Sequence, residues 1–137
     1  MRAPFAVLSA ALVLLISGIG CNDDHSPTSP STPSISGNWQ GTYQPGIAAN
    51  FDPCDAGGPA AATFSQQGKQ VSGTLTTQNH SNAEGDFVGE FIDGSLLRGM
   101  LTKNGTTRMV SGSTSAGQLT LSVDLPFCSS NRIELHR

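Results

Sequence analysis

The sequence predicts an all-β domain, an eight-stranded antiparallel barrel of the up-and-down (meander) type. Apolar and polar residues alternate in eight short runs after residue 37. Turn-forming residues separate most of the runs, and no run has the apolar spacing of an amphipathic helix. Eight strands are enough to close a small barrel, and closure removes the edges that an open sheet would expose. The alternative is a β-sandwich.

The first 20 residues have the pattern of an export signal. Arg2 supplies a positive charge, and the apolar run PFAVLSAALVLLISGIG occupies residues 4–20. A run of this length is typical of a signal peptide rather than of a membrane span. The small residues before Cys21 resemble the lipobox of bacterial lipoproteins, although Gly18 stands where that family favours Leu. The resemblance implies cleavage before Cys21 and its acylation with a fatty acid such as palmitate. An ordinary secretory signal is the alternative.

Residues 21–36 are rich in Ser, Thr, Pro and Asp, which predicts a disordered tether of roughly 40 Å at full extension. With the anchor, this tether implies a periplasm-facing domain in the cell envelope. Outer membrane is favoured over inner, because Asn22 stands where an Asp would resemble the retention signal of enteric lipoproteins. Without Arg2 the chain has six basic and ten acidic residues, a net charge of −4, which disfavours a nucleic acid partner.

The remaining residues, 37–137, are enough for one small domain with a single core. Its outward faces carry Gln, Ser, Thr and Asp and its runs are short, which argues against a membrane-spanning barrel. The fifth run does not alternate cleanly, because Leu96, Leu97, Met100 and Leu101 crowd together. The predicted strands are residues 38–44, 60–67, 70–77, 85–92, 95–102, 106–113, 118–125 and 131–137.

Cys54 and Cys128 are predicted to form a disulfide. In a meander the loops after the first and seventh strands lie at the same end, and closure makes those loops neighbours. Cys54 lies in the first of these loops and Cys128 in the second, and exported proteins meet an oxidising compartment. The loop of residues 45–59 is the longest, and its apolar residues Ile47 and Phe51 are expected to plug the barrel mouth or to form a lid over it.

Gly37 and Trp39 at the start of the first strand resemble the G-x-W signature of lipocalins and related calycin barrels. The resemblance implies that Trp39 closes the floor of the barrel and that a basic residue near the end of the last strand packs across it. Strand parity favours Arg137 over Arg132 for that contact. A cation over an indole ring is worth roughly 0.5–2 kcal/mol.

The expected function is binding of a small apolar molecule or lipid inside the barrel, because an eight-stranded interior either is filled by side chains or holds one small ligand. Inward glycines leave space or permit strand bending. The alternative is a protein-interaction module or an inhibitor of an envelope enzyme, which acts through its rim loops. The predicted ligand-facing residues are Tyr43, Phe51, Phe64, Phe87 and Phe91.

The sequence does not predict an enzyme, a cofactor or a metal site. It contains no phosphate-binding loop and no HExxH motif. His80 shares the mouth end with Asp52 and Asp55, which as a cluster would suggest metal or acid–base chemistry. Polar loops collect such residues in any case, so rim residues without a catalytic role are the favoured interpretation.

Overall fold

The computed structural model describes residues 31–48, 54, 56–78, 82–126, 128–129 and 131–137. The predicted signal peptide, Cys21 and the tether up to residue 30 lie outside the described residues. So do four predicted loop residues, namely Phe51, Asp52, Asp55 and His80.

The described residues form a closed barrel in which consecutive strands pair antiparallel and the last strand returns to the first. The predicted fold class is therefore confirmed, and the sandwich alternative is excluded. The strands are β1 Gly37–Gln44, β2 Gly58–Gln67, β3 Gln70–Thr77, β4 Gly85–Asp93, β5 Leu96–Lys103, β6 Thr106–Ser115, β7 Gln118–Val123 and β8 Arg132–His136.

The interior is built from the alternate residues that the pattern assigns to the inward face. Twenty apolar residues form one buried cluster, each no more than 5% exposed. Phe64 and Phe87 meet edge to face, with ring centroids 5.6 Å apart, which adds a favourable quadrupole contact to the apolar burial. The largest fully buried side chains are Trp39, Tyr43, Phe87, Phe91, Ile35, Leu75, Leu97, Leu101, Leu119, Leu121, Ile133 and Leu135.

Two inward glycines make room for an aromatic ring rather than for a ligand. Gly89 of β4 and Gly99 of β5 are direct cross-strand partners. A methyl group placed on either glycine would lie 2.6 Å from ring atoms of Phe87, well inside van der Waals contact. The Phe87 ring therefore occupies the space that the missing side chains leave.

The floor of the barrel is closed by the segment that precedes β1. Ile35 is completely buried there, and the indole Nε1 of Trp39 donates a 2.7 Å hydrogen bond to its carbonyl. The Gln66 side chain accepts from the Ile35 amide at 2.8 Å and donates to the Pro33 carbonyl at 3.1 Å. The packed domain thus includes Pro33 and Ile35, which the composition predicts to be part of the disordered tether.

Arg137 contacts Trp39 and the floor segment through its guanidinium group. Its guanidinium carbon lies 4.8 Å from the centroid of the Trp39 ring. The same guanidinium donates hydrogen bonds to the carbonyls of Ser34 and Ser36, at 2.8 and 2.9 Å. Arg132, the competing candidate, instead pairs with Glu134 at 2.8 Å.

Replacement of Arg137 by alanine is expected to lower the free energy of unfolding by about 1–2 kcal/mol. The change removes a cation–π contact and two hydrogen bonds to backbone carbonyls. The matched control is Arg132→Ala, whose surface ion pair is worth less than about 1 kcal/mol. Urea denaturation of both variants measures the difference. Equal losses from the two substitutions would show that the floor contact has no special stability.

Candidate functional site at the mouth of the barrel

The end of the barrel opposite the floor is the mouth. Four connections meet there: residues 45–57 after β1, 78–84 after β3, 104–105 after β5 and 124–131 after β7. The other three turns, together with the floor segment, lie at the floor end. The three long loops therefore lie at the mouth together with one tight turn, whereas the floor-end connections are all tight turns.

A disulfide joins Cys54 in the first of these loops to Cys128 in the last, with their Cα atoms 5.9 Å apart. This pairing confirms the prediction. Ile47 and Ser129 add a short antiparallel bridge, in which the Ile47 amide donates to the Ser129 carbonyl at 2.9 Å and the Ser129 amide donates back at 3.2 Å. The amide of Cys54 also donates to the Gly46 carbonyl at 2.9 Å. We call the described residues of these two loops, 45–48, 54, 56–57, 124–126 and 128–129, the stapled rim.

Ile47 does not enter the barrel mouth. Its side chain is 49% exposed, so the expectation that it plugs the mouth or forms the underside of a lid is wrong. The reason is the bridge to Ser129, which holds the Ile47 backbone alongside the neighbouring loop. The stapled rim thus presents an apolar side chain to solvent on a cross-linked backbone.

Other residues close the mouth. Ala83 in the loop after β3 is completely buried, and Leu125 after β7 is 5% exposed. Both belong to the main apolar cluster. Asn131 is 4% exposed and extends the β7–β8 pairing with its side chain. Its Oδ1 accepts from the Val123 amide at 2.9 Å, and its Nδ2 donates to the Val123 carbonyl at 2.6 Å.

Asn131→Ala is expected to destabilise the fold by about 1–3 kcal/mol, because it leaves the amide and carbonyl of Val123 without these two buried partners. Asn82→Ala, the same substitution at an exposed position of another mouth loop, is expected to change stability by less than about 0.5 kcal/mol. Thermal unfolding of the two variants provides the comparison. A loss at Asn131 no larger than that at Asn82 would contradict a structural role for the amide.

The predicted ligand-facing residues lie in the packed core rather than on the wall of a cavity. Tyr43, Phe64, Phe87 and Phe91 are between 1% and 3% exposed, and Phe51 lies outside the described residues. A void large enough for a small-molecule ligand would expose the side chains that line it. Side chains that are this little exposed therefore leave no ligand-sized space next to them, which does not favour a ligand held between these four residues.

The rim also has a small polar cleft between the loop after β3 and the β5–β6 hairpin. Its volume is about 230 Å³, and Asn82, Asn104, Thr106 and Arg108 contribute to its walls. Lys103 and Glu84 form an ion pair beside it. The cleft is shallow and polar, and it is smaller than the roughly 300–1,000 Å³ of typical small-molecule sites.

Within the described ranges, no three His, Cys, Asp or Glu side chains come together in a group that could hold a metal ion. The Asp52, Asp55 and His80 cluster lies outside those ranges. No helix in the described part of the chain is long and apolar enough to cross a membrane.

The cysteine positions predicted which two loops form the rim. The sequence did not predict the outward orientation of Ile47 or the hydrogen bonds from the Asn131 side chain to the backbone of Val123. The topology of a closed meander determines which loops are neighbours, so cysteine positions are sufficient to pair them. A side chain in an irregular loop follows no period, and its direction depends on hydrogen bonds such as those to Ser129.

Comparisons with protein-family models, with curated proteins and with solved structures find no match to the chain. The fold is therefore assigned from the structure alone. It is an eight-stranded antiparallel closed barrel, which is compatible with the lipocalin-like architecture.

Proposed function

We propose that this protein is a lipid-anchored, non-enzymatic interaction module of the bacterial cell envelope, which binds a protein partner through its stapled rim. The observation that carries the proposal is the filled interior. Twenty apolar residues pack inside the barrel with no more than 5% exposure, which favours a surface-binding role over a role in which a ligand occupies the interior.

The two loops of the stapled rim are held in place before any partner binds, as in a preorganised binding surface. The disulfide and the reciprocal Ile47–Ser129 hydrogen bonds hold two loops together. Binding by loops that are already ordered avoids part of the conformational entropy that association otherwise costs. Ile47, half-exposed on this backbone, is the natural apolar anchor for a partner.

The anchor part of the proposal rests on the sequence. The apolar run before Cys21 resembles a lipoprotein signal, and acylated Cys21 would hold the protein on the membrane, with the outer membrane favoured. The floor segment Pro33–Ser36 is hydrogen-bonded at the end opposite the rim. A tether that enters at the floor would leave the rim facing away from the bilayer, and residues 22–32 at full extension would hold the floor up to roughly 35 Å from the membrane.

Site-specific photo-crosslinking in cells tests the proposal on the whole lipidated chain. A photoreactive amino acid at position 47 is expected to give a protein adduct, whereas the same amino acid at position 69, in a floor-end turn, is expected to give none. Absence of an adduct from position 47 would contradict a role for the rim. Native mass spectrometry of the chain from residue 22 onward is expected to show no bound molecule, and a retained apolar molecule would favour the ligand-binding alternative.

A further inference from the structure

The outer face of β4, β5 and β6 carries a row of exposed apolar side chains. Val88 is the direct cross-strand partner of Met100, and Met100 is the direct partner of Met109. Their exposures are 57%, 50% and 57%. We call these three residues the outer apolar row. Ile92 and Leu96 on β4 and β5 are also 47% and 52% exposed, but the cross-strand partners Glu90 and Arg98 lie between them and the row.

This concentration is unusual for a surface. Six large apolar side chains are exposed in the described part of the chain, and all but Ile47 belong to these strands. The three side chains of the row expose on the order of 300 Å², within the roughly 300–600 Å² of the largest apolar patch on a typical monomer, which is often functional. The patch thus differs from the scattered apolar residues that any surface has.

The area indicates what kind of partner fits. A stable dimer of two folded proteins buries roughly 800 Å² on each partner. The patch is smaller than that, so it matches a single segment of another protein better than a second copy of this chain.

The spacing of the row suits a helix. Three adjacent strands lie about 4.8 Å apart, so the row extends about 10 Å across the sheet. Side chains at positions i, i+3 or i+4 and i+7 of a helix extend about 10.5 Å along its axis, with comparable steps. Alternate residues of an extended segment are about 6.6 Å apart and fall out of register with the row.

The charges around the row are mostly acidic. Asp86 and Glu90 flank Val88 on the outer face of β4, and Asp93 follows at the end of that strand. Asp124 lies at the other side, where its amide donates to the Met109 carbonyl at 2.8 Å. Arg98, between Leu96 and Met100 on β5, and Lys69, whose carbonyl accepts from the Phe91 amide, are the basic residues among them. Four carboxylates against two cations favour a basic partner, and they disfavour an anionic membrane surface.

A groove continues the row beyond Met109. Its volume is about 280 Å³, and its walls include Arg98, Ser111, Ser122 and Asp124. This size suits one inserted side chain. Because both a guanidinium and a carboxylate line the groove, its charge favours neither sign of inserted group.

We propose that the outer apolar row is a docking surface for a basic amphipathic helix of a partner protein. The apolar side of that helix lies across Val88, Met100 and Met109, and its lysines or arginines face the four carboxylates. The inference rests on the proposed function as an interaction module, and it adds a second surface and the chemistry of its partner.

Methionine methyl NMR tests this directly, because the chain from residue 22 onward has Met100 and Met109 as its two methionines. The probe is an 18-residue Leu–Lys peptide with helical periodicity, added to this chain from residue 22 onward. Both methionine signals are expected to shift. A peptide of the same apolar pattern with Glu in place of Lys is expected to bind at least about tenfold more weakly, because the carboxylates repel it.

Two variants assign the site. Met100→Lys is expected to weaken binding of the Leu–Lys peptide about tenfold, since it places a like charge in the centre of the row. Gln40→Lys, a control that places the same charge at an exposed position of β1 on another part of the barrel, is expected to change it less than about twofold.

Three results would overturn the proposal: no shift with either peptide, equal affinity for both, or an equal loss from Gln40→Lys. A dimer in sedimentation that Met100→Lys dissociates would also overturn it, because a second copy would then be the occupant. The crosslink from position 47 is measured separately, so the rim proposal and the outer-row proposal fail independently of each other.

Discussion

The double variant Cys54→Ala/Cys128→Ala is expected to lose about 4–5 kcal/mol of unfolding free energy, a large share of the roughly 5–15 kcal/mol that stabilises a small domain. The disulfide closes a loop across 74 positions of sequence. The chain-entropy model relates the stabilisation to that separation, because the cross-link restricts the unfolded chain. The variant therefore acts mainly through the unfolded state.

Urea denaturation with and without a reducing agent measures this effect. Reductant is expected to lower the midpoint of the wild-type protein to that of the double variant, and to leave the double variant unchanged. A wild-type midpoint that does not respond to complete reduction would contradict the prediction.

The same change is expected to loosen the stapled rim while the barrel persists. Hydrogen exchange at the Ile47 amide, which donates to the Ser129 carbonyl, should accelerate in the double variant. Exchange at the Leu119 amide, in a strand paired on both sides, should change only by the amount that the global loss of stability explains. Unchanged exchange at Ile47 would show that the hydrogen bonds order the rim without the disulfide.

The sequence was sufficient to predict the architecture of the barrel because period-two alternation and turn residues report directly on strands and hairpins. β7 illustrates this: Leu119, Leu121 and Val123 alternate with polar residues in the sequence and are at most 1% exposed in the structure. The number of strands predicted that the sheet closes into a barrel. Closure in turn predicted that the loops with Cys54 and Cys128 are neighbours.

The irregular fifth strand shows the limit of alternation. Leu97 and Leu101 face the core, whereas Leu96 and Met100 are about half exposed. Apolar residues on both faces erase the alternating pattern, so the sequence signal weakens at the central strand of the three that carry the outer apolar row. A break in alternation within an otherwise regular meander is thus itself a signal for an exposed apolar face.

The floor segment could not be predicted from periodicity. Ile35 is a single apolar residue in a polar stretch, yet it is completely buried. Its burial depends on contacts that are distant in sequence, with Gln66 and Trp39. Local composition describes the tether correctly as poor in apolar residues, but it carries no information on which residue fills the opening of a barrel.

Whether the interior has room for a ligand depends on the pairing register of β4 and β5. From the sequence alone, inward glycines such as Gly89 and Gly99 could leave open space. The structure pairs these two glycines and places Phe87 over them. One residue of slip in the β4–β5 register would exchange inward and outward faces, so the volume of the interior is a property of the pairing rather than of the composition.

Phe87→Ala is expected to convert the filled barrel into one with an internal cavity. The ring lies over Gly89 and Gly99 and meets Phe64 edge to face, so neighbouring side chains are poorly placed to fill the gap. The expected loss of stability is about 3–5 kcal/mol, the range for deletion of a buried aromatic ring. Val88→Ala, at the adjacent but exposed position, is expected to cost less than about 1 kcal/mol.

The cavity itself gives a second readout. An apolar cavity of about 150 Å³ in a protein core stays dry and binds benzene, so benzene is expected to raise the melting temperature of Phe87→Ala and to leave that of the wild type unchanged. Stabilisation of the wild type by benzene would show that its interior already has room for a ligand, and would restore small-molecule binding as the leading function. Stabilisation of the variant alone would show that one aromatic ring separates this filled barrel from a ligand-binding one.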